Sequence, residues 1–175
     1  CTSLKTIDIS STVTRIGKNA FYDCALTSVT LPSGLERIEA YSFYYCKLTK
    51  IEIPDSVTYI GEGAFAECTF AEELILSANL KTIDKKAFYN LKNVTYVYLP
   101  NRVEIIGENA FNLHSSVEIE RTIKICNGIK KIGAYAFTTN DSITFTGTTG
   151  DWNKILIDPR NYQYSVTTSD GSFVD

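Results

Sequence analysis

The stretch IEIPDSVTYIGEGAFAEC, residues 51–68, carries the pattern that decides the fold. Its opening, LTKIEIP (residues 48–54), alternates apolar and polar residues, the period of a half-buried strand. A proline follows, then a polar turn, a short VTYI segment, a glycine, and a compact GAFAEC segment. The chain repeats this order. IGKNAFYDC (residues 16–24) and IEAYSFYYC (residues 38–46) copy IGEGAFAEC (residues 60–68), each with a cysteine three residues after a phenylalanine.

Outward from that stretch, the phenylalanines of the AF or SF pairs are Phe21, Phe43, Phe65, Phe88, Phe111 and Phe137, spaced by 22, 22, 23, 23 and 26 residues. Five residues before each stands Ile16, Ile38, Ile60, Ile83, Ile106 or Ile132. Upstream lie paired apolar positions such as Ile7 and Ile9, Val29 and Leu31, Ile51 and Ile53. A 22-residue unit cannot bury such a face alone, whereas stacked units can. The reading is a β-rich solenoid of about six 22–26-residue repeats. Its strands are parallel, its AF segments short helical or 3-10 pieces, and its coil of the right-handed α/β type. Pro32, Pro54 and Pro100 end the first strand of their units, lacking an N–H for the ladder. Gly17, Gly61, Gly107 and Gly133 mark a bend that leaves little room for a Cβ, although Glu39 and Asp84 occupy the same position elsewhere.

Residues 51–68 and LTSVTLPSGLERIEAYSFYYC (residues 26–46) resemble the BspA-like leucine-rich repeats. The resemblance runs over nearly the whole chain. It implies a secreted or surface-displayed microbial module that binds proteins or cells, with some relatives acting as ancillary modules beside enzymes.

The recurring cysteines have three readings: a metal site, a disulfide framework, or a wall of the core. The same position holds Cys24, Cys46, Cys68, then Leu91, His114 and Asn140. Leucine cannot ligate a metal, but it replaces a small buried cysteine well. The close pairs that zinc sites use are missing from the sequence. A disulfide between neighbouring units needs Cα atoms within about 7 Å, and AF segments on the outer side of a curved stack are expected farther apart than that. The cysteines, with the phenylalanines, are therefore assigned to the core, and His114 with them.

Residues 1–141 are read as the repeats, beginning mid-template at Cys1, which suggests further repeats upstream; residues 142–175 are read as a last strand and a closing segment. Trp152, the one tryptophan, is expected to lie half-exposed as a lid on the last core layer.

Net charge is −3, which gives no general attraction to nucleic acid or anionic membrane. No apolar run approaches the ~20 residues of a membrane span. Nucleophile, metal and phosphate-loop motifs are missing, and carboxylates such as Asp8, Glu52, Glu72 and Glu73 are scattered. No enzyme activity, cofactor or metal is expected.

If the paired apolar positions point inward, the residues between them form two outer columns on the first sheet. These read Thr6, Ser28, Lys50, Glu73, Tyr96, Thr122 and Asp8, Thr30, Glu52, Ile75, Tyr98, Lys124. Ile75, Tyr96 and Tyr98 should cluster across two coils, and Tyr59 and Ile105 are offered by the second strand. Exposed aromatic groups on a rigid sheet are favoured anchors of protein interfaces, although sheet surfaces also favour them through cross-strand packing alone. Tyr22, Tyr44, Tyr45 and Tyr89, after the AF pair, are expected to be partly buried between coils. The function expected is a protein-binding, adhesive module with a partner on a host, matrix or neighbouring cell; the alternative is a glycan-binding or spacer module of a larger protein.

Overall fold

The structure is a computed structural model and describes residues 3–69, 73–91, 93–112, 120–161 and 165–174. Each repeat is one coil of a parallel solenoid, numbered here from the coil of Phe21 to that of Phe137.

The isoleucine that precedes each AF segment by five residues defines one sheet. Its strands are β1 (Arg15–Ile16), β2 (Arg37–Ile38), β3 (Tyr59–Ile60), β5 (Thr82–Ile83), β7 (Ile105–Ile106), β9 (Lys131–Ile132) and β11 (Leu156–Ile157), all parallel in that order. From β1 to β9 the isoleucine is buried and its predecessor lies outside or at the rim. The other sheet runs β4 (Glu73–Leu74), β6 (Tyr96–Leu99), β8 (Arg121–Ile125), β10 (Asp141–Phe145), β12 (Val166–Thr167) and β13 (Phe173–Val174). Only the β12–β13 pair is antiparallel.

This sheet is shorter than the repeat pattern leads one to expect. In coils one to three the alternating segments keep their burial pattern, with Ile51 and Ile53 buried and Glu52 exposed. They form no ladder, apart from a single bridge between Asp8 and Thr30. The outer residues there, such as Ser28, Thr30, Lys50 and Glu52, are small or charged and offer little mutual packing. Tyr96 with Thr122 and Tyr98 with Lys124 offer more.

The AF segments differ from the helical pieces expected. They are runs of turns in which two kinds of hydrogen bond alternate. In the first coil the N–H groups of Ala20, Tyr22 and Cys24 donate three residues back, to Gly17, Asn19 and Phe21. Those of Asn19, Phe21 and Asp23 donate to the next coil, to Ala40, Ser42 and Tyr44, at 2.7–3.0 Å. The alternation goes with left-handed backbone at two positions in each of the first four coils. The earlier one holds Asn19, Tyr41, Gly63, Lys86, Asn109 and Tyr135; the later one holds Asp23, Tyr45, Glu67 and Asn90.

The AF segments thus form a third line of inter-coil bonding, and neighbouring ones lie as close as strands. This corrects the expectation that they splay apart. The phenylalanines stack in one column, with successive centroids 5.1, 5.2, 5.5, 5.3 and 6.0 Å apart. All are buried except Phe21, which is partly buried. Each buried ring contributes about 1.5–3 kcal/mol by leaving water.

Cys24, Cys46 and Cys68 are buried free thiols. Their thiols do more than fill space: Cys46 Sγ donates to the carbonyl of Phe21, and Cys68 Sγ to that of Phe43, both at 3.1 Å. Burial pushes the Cys46 thiol up to about 11, and raises that of Cys68 as well. His114 and Cys1 lie outside the described residues.

The closing segment contains the one α-helix among the described residues, α1 (Thr149–Trp152), started by a capping box between Thr148 and Asp151. Trp152 sits edge-on to Phe145 at 5.2 Å and is buried, not half-exposed.

Candidate binding surface

The register of the β4–β13 sheet sets its outer columns. Tyr96 lies between Glu73 and Thr122, and Tyr98 faces Lys124. Ile75 directly follows β4, and continuing the β4–β6 register brings it beside Tyr98. Ile75 is 58% exposed and Tyr98 40%, while Tyr96 is half-buried. Tyr98 is fixed from two sides. The Cys126 thiol donates to its hydroxyl at 3.4 Å, and the Lys124 ammonium stands 6.0 Å from its ring. The bond to Cys126 is the main reason its phenol titrates above the ordinary value.

On the same side, in coils two and three, the unpaired segments leave a cleft of about 560 Å³. Ser28, Thr30, Ser33, Lys50, Glu52 and Asp55 contribute its polar lining. The outer face therefore changes character along the stack, from hydroxyl-rich and charged to aromatic and aliphatic.

Tyr59 and Ile105 belong to the other sheet and do not join this group. Tyr59 is also engaged. Its hydroxyl donates to Asp84 Oδ2 at 2.8 Å, and the Arg37 guanidinium lies 3.9 Å above its ring. Burial and that carboxylate push its phenol up to about 12. Ile105 is exposed between Thr82 and Lys131.

Two features escaped the sequence reading. The first is a buried ion pair. Arg121 grips Asp141 with two bonds of 2.7 and 2.8 Å, and also donates to the Phe111 carbonyl and to Thr138 Oγ1. Both residues hold the template position that is threonine at Thr27, Thr49 and Thr95. Two opposite charges at that one position in successive repeats were the available signal.

The second is on the AF side. Tyr22 and Tyr45 are 47% and 58% exposed, which corrects their assignment to the spaces between coils; Tyr44 and Tyr89 are half-buried. Tyr22 stacks on Tyr44 at 4.9 Å, and Tyr45 leans on Tyr44 at 6.2 Å. Tyr41 meets Tyr44 edge-on and donates to Glu62 at 2.6 Å.

Among the described residues, no group of three His, Cys, Asp or Glu side chains could hold a metal ion. Glu72, one of the scattered carboxylates, lies outside them.

A parallel solenoid with one repeat per coil is the architecture of leucine-rich-repeat proteins. Comparison with protein families matches the BspA type leucine rich repeat region, in six copies over residues 1–118, and the chain belongs to this family. The family is typically surface-associated, and its repeats are typically non-enzymatic protein-binding modules. Among solved structures the chain is similar to a leucine-rich repeat protein from Bacteroides ovatus, at 20% identity and a TM-score of 0.61. That match covers 94% of this chain and 55% of the other. A leucine rich cell surface protein from Faecalibacterium prausnitzii matches at 22% identity and a TM-score of 0.41, covering 89% and 63%. The chain thus spans less than two thirds of the length of these proteins, and the likeness to the Bacteroides protein is one of fold. No curated protein matches. No helix among the described residues is long and apolar enough to cross a membrane.

Proposed function

We propose that this chain is an extracellular or surface-displayed adhesion module that binds a protein through the outer face of the β4–β13 sheet. The observation that carries this reading is the juxtaposition of Ile75, Tyr96 and Tyr98 on a hydrogen-bonded, in-register sheet. A rigid backbone means that little conformational entropy is lost when such groups are covered. Tyrosine anchors with an apolar neighbour form the centre of many interfaces. The hydroxyl-rich cleft beside them suits the polar rim that surrounds such a centre.

The test is a binding screen of the purified chain against extracellular-matrix proteins, repeated with Tyr96→Ala/Tyr98→Ala. A captured protein is expected to bind at least tenfold more weakly to the double variant, the loss of a hot spot of about 1.4 kcal/mol or more. Thermal stability should stay close to that of the parent. Undiminished binding by the double variant would remove this face from the mechanism.

A further inference from the structure

Just after the AF turns of the first three coils lies a groove of about 470 Å³, lined by residues other than those of the sheet surface just described. Its size falls within the roughly 300–1,000 Å³ of small-ligand sites. Asp23, Tyr45 and Glu67 stand at the same left-handed position of three successive coils, so their side chains leave the stack in one column. Lys47 and Thr69 complete the polar wall, and Cys46 is part of the lining.

Three properties of this groove bear on its ligand. First, Tyr45 is a braced platform. It is the most exposed tyrosine of the molecule's described part, yet it leans on Tyr44, which is itself packed between Tyr22 and Tyr41. Its ring is supported by the cluster and open to the groove. Second, the flanking groups are mainly acceptors. Glu67 is oriented by the Asn90 amide, which donates to its Oε2 at 2.7 Å, and Asp23 offers a carboxylate on the far side of the tyrosine. Third, two carboxylates against one ammonium leave a formal charge of −1, which opposes phosphates, sulfates and acidic sugars.

An aromatic face bordered by carboxylates is complementary to a pyranose ring. The axial C–H face of the sugar lies on the aromatic ring, and adjacent hydroxyls each donate to a carboxylate. We infer that the groove formed by Asp23, Tyr45, Lys47, Glu67 and Thr69 binds a saccharide of uncharged or amino-substituted pyranose units, stacked on Tyr45. This site is independent of the protein-binding face, and either can fail without the other.

The probes are cellotetraose, a glucosamine tetrasaccharide and sialyllactose, titrated into the intact chain and followed by backbone amide NMR. Tyr45→Asn removes the platform while keeping a residue that suits left-handed backbone, as Asn90 does in the fourth coil. Tyr98→Ala serves as the control on the other face. The first two sugars, or one of them, should bind with millimolar-class affinity and shift amides at residues 23–25, 45–47 and 67–69. Tyr45→Asn should weaken that binding about tenfold or more, and Tyr98→Ala should leave it unchanged. The inference is overturned if neither sugar binds or if sialyllactose is preferred. It is also overturned if the shifts fall outside these segments, a readout that needs no variant, or if a folded Tyr45→Asn binds as well as the parent.

Discussion

Ser42 occupies the position that is alanine in the other five coils, at Ala20, Ala64, Ala87, Ala110 and Ala136. Its hydroxyl is buried without a hydrogen-bond partner, while its backbone carbonyl accepts from Phe21. Ser42→Ala should therefore raise stability by about 1 kcal/mol, read as a higher urea midpoint with an unchanged slope. The opposite holds for Asp141. Asp141→Ala would leave the buried Arg121 guanidinium without its counter-charge, and a loss of about 3–5 kcal/mol is expected in the same measurement. The cysteines show how far a single residue type could be read. Leu91 at the equivalent position was enough to argue for a core role. The thiol-to-carbonyl bonds were invisible because each acceptor belongs to the preceding coil, 25 residues away. The tyrosines after the AF pair were misjudged for a related reason. Register along the sequence predicts stacking, as between Tyr22 and Tyr44, but stacked rings at the rim can still face water.

At the scale of the element, the AF segment and the bend before it make two different uses of glycine. Gly63 has a positive φ of 58°, the left-handed conformation that glycine adopts without cost. Gly107 has no such need, but a Cβ there would come within 2.4 Å of the Lys85 nitrogen and 2.5 Å of the Asp84 carbonyl carbon. At Gly17 an added Cβ meets nothing within 4 Å. Gly107→Ala should cost about 1–3 kcal/mol and Gly17→Ala close to none, a contrast that thermal unfolding of the pair would reveal. The sequence located the bend and suggested the close approach. It could not tell turns from helix in the AF segments, because five or six residues hold too little of any period. Nor could alternation alone reveal which strands pair: Ile51 and Ile53 bury like strand residues in a segment that forms no ladder.

For the whole molecule, the path of the stack was legible because every coil repeats the same apolar positions. The placement of exposed side chains was less so, since solvent-facing positions are free to vary between coils. Stability against alkali is a property of the contacts between assembled coils. Cys46 is raised from 9.0 to about 11 by burial. Tyr41 is raised from 10.0 to about 12, chiefly by its bond to Glu62, and Tyr59 from 10.0 to about 12 by burial and Asp84. The folded chain holds these protons where the unfolded chain has released them. Their stabilisation is complete below pH 9 and is lost as pH rises through 11 to 12. The thermal midpoint should be flat across pH 7 to 8.5 in this respect and fall steadily above 9. A midpoint that rises above pH 9 would contradict the assignment.

The direction of β13 has a consequence for assembly. A parallel ladder presents the same kind of edge at every step, so nothing in its geometry sets its length, and one stack can serve as the template for another in head-to-tail order. β13 runs against β12 and is only two residues long. A strand arriving on that side of the β4–β13 sheet would meet an antiparallel bonding pattern offset from the repeat. The reversal of one short strand thus closes that edge of the sheet to a further parallel step, as a knot closes a seam.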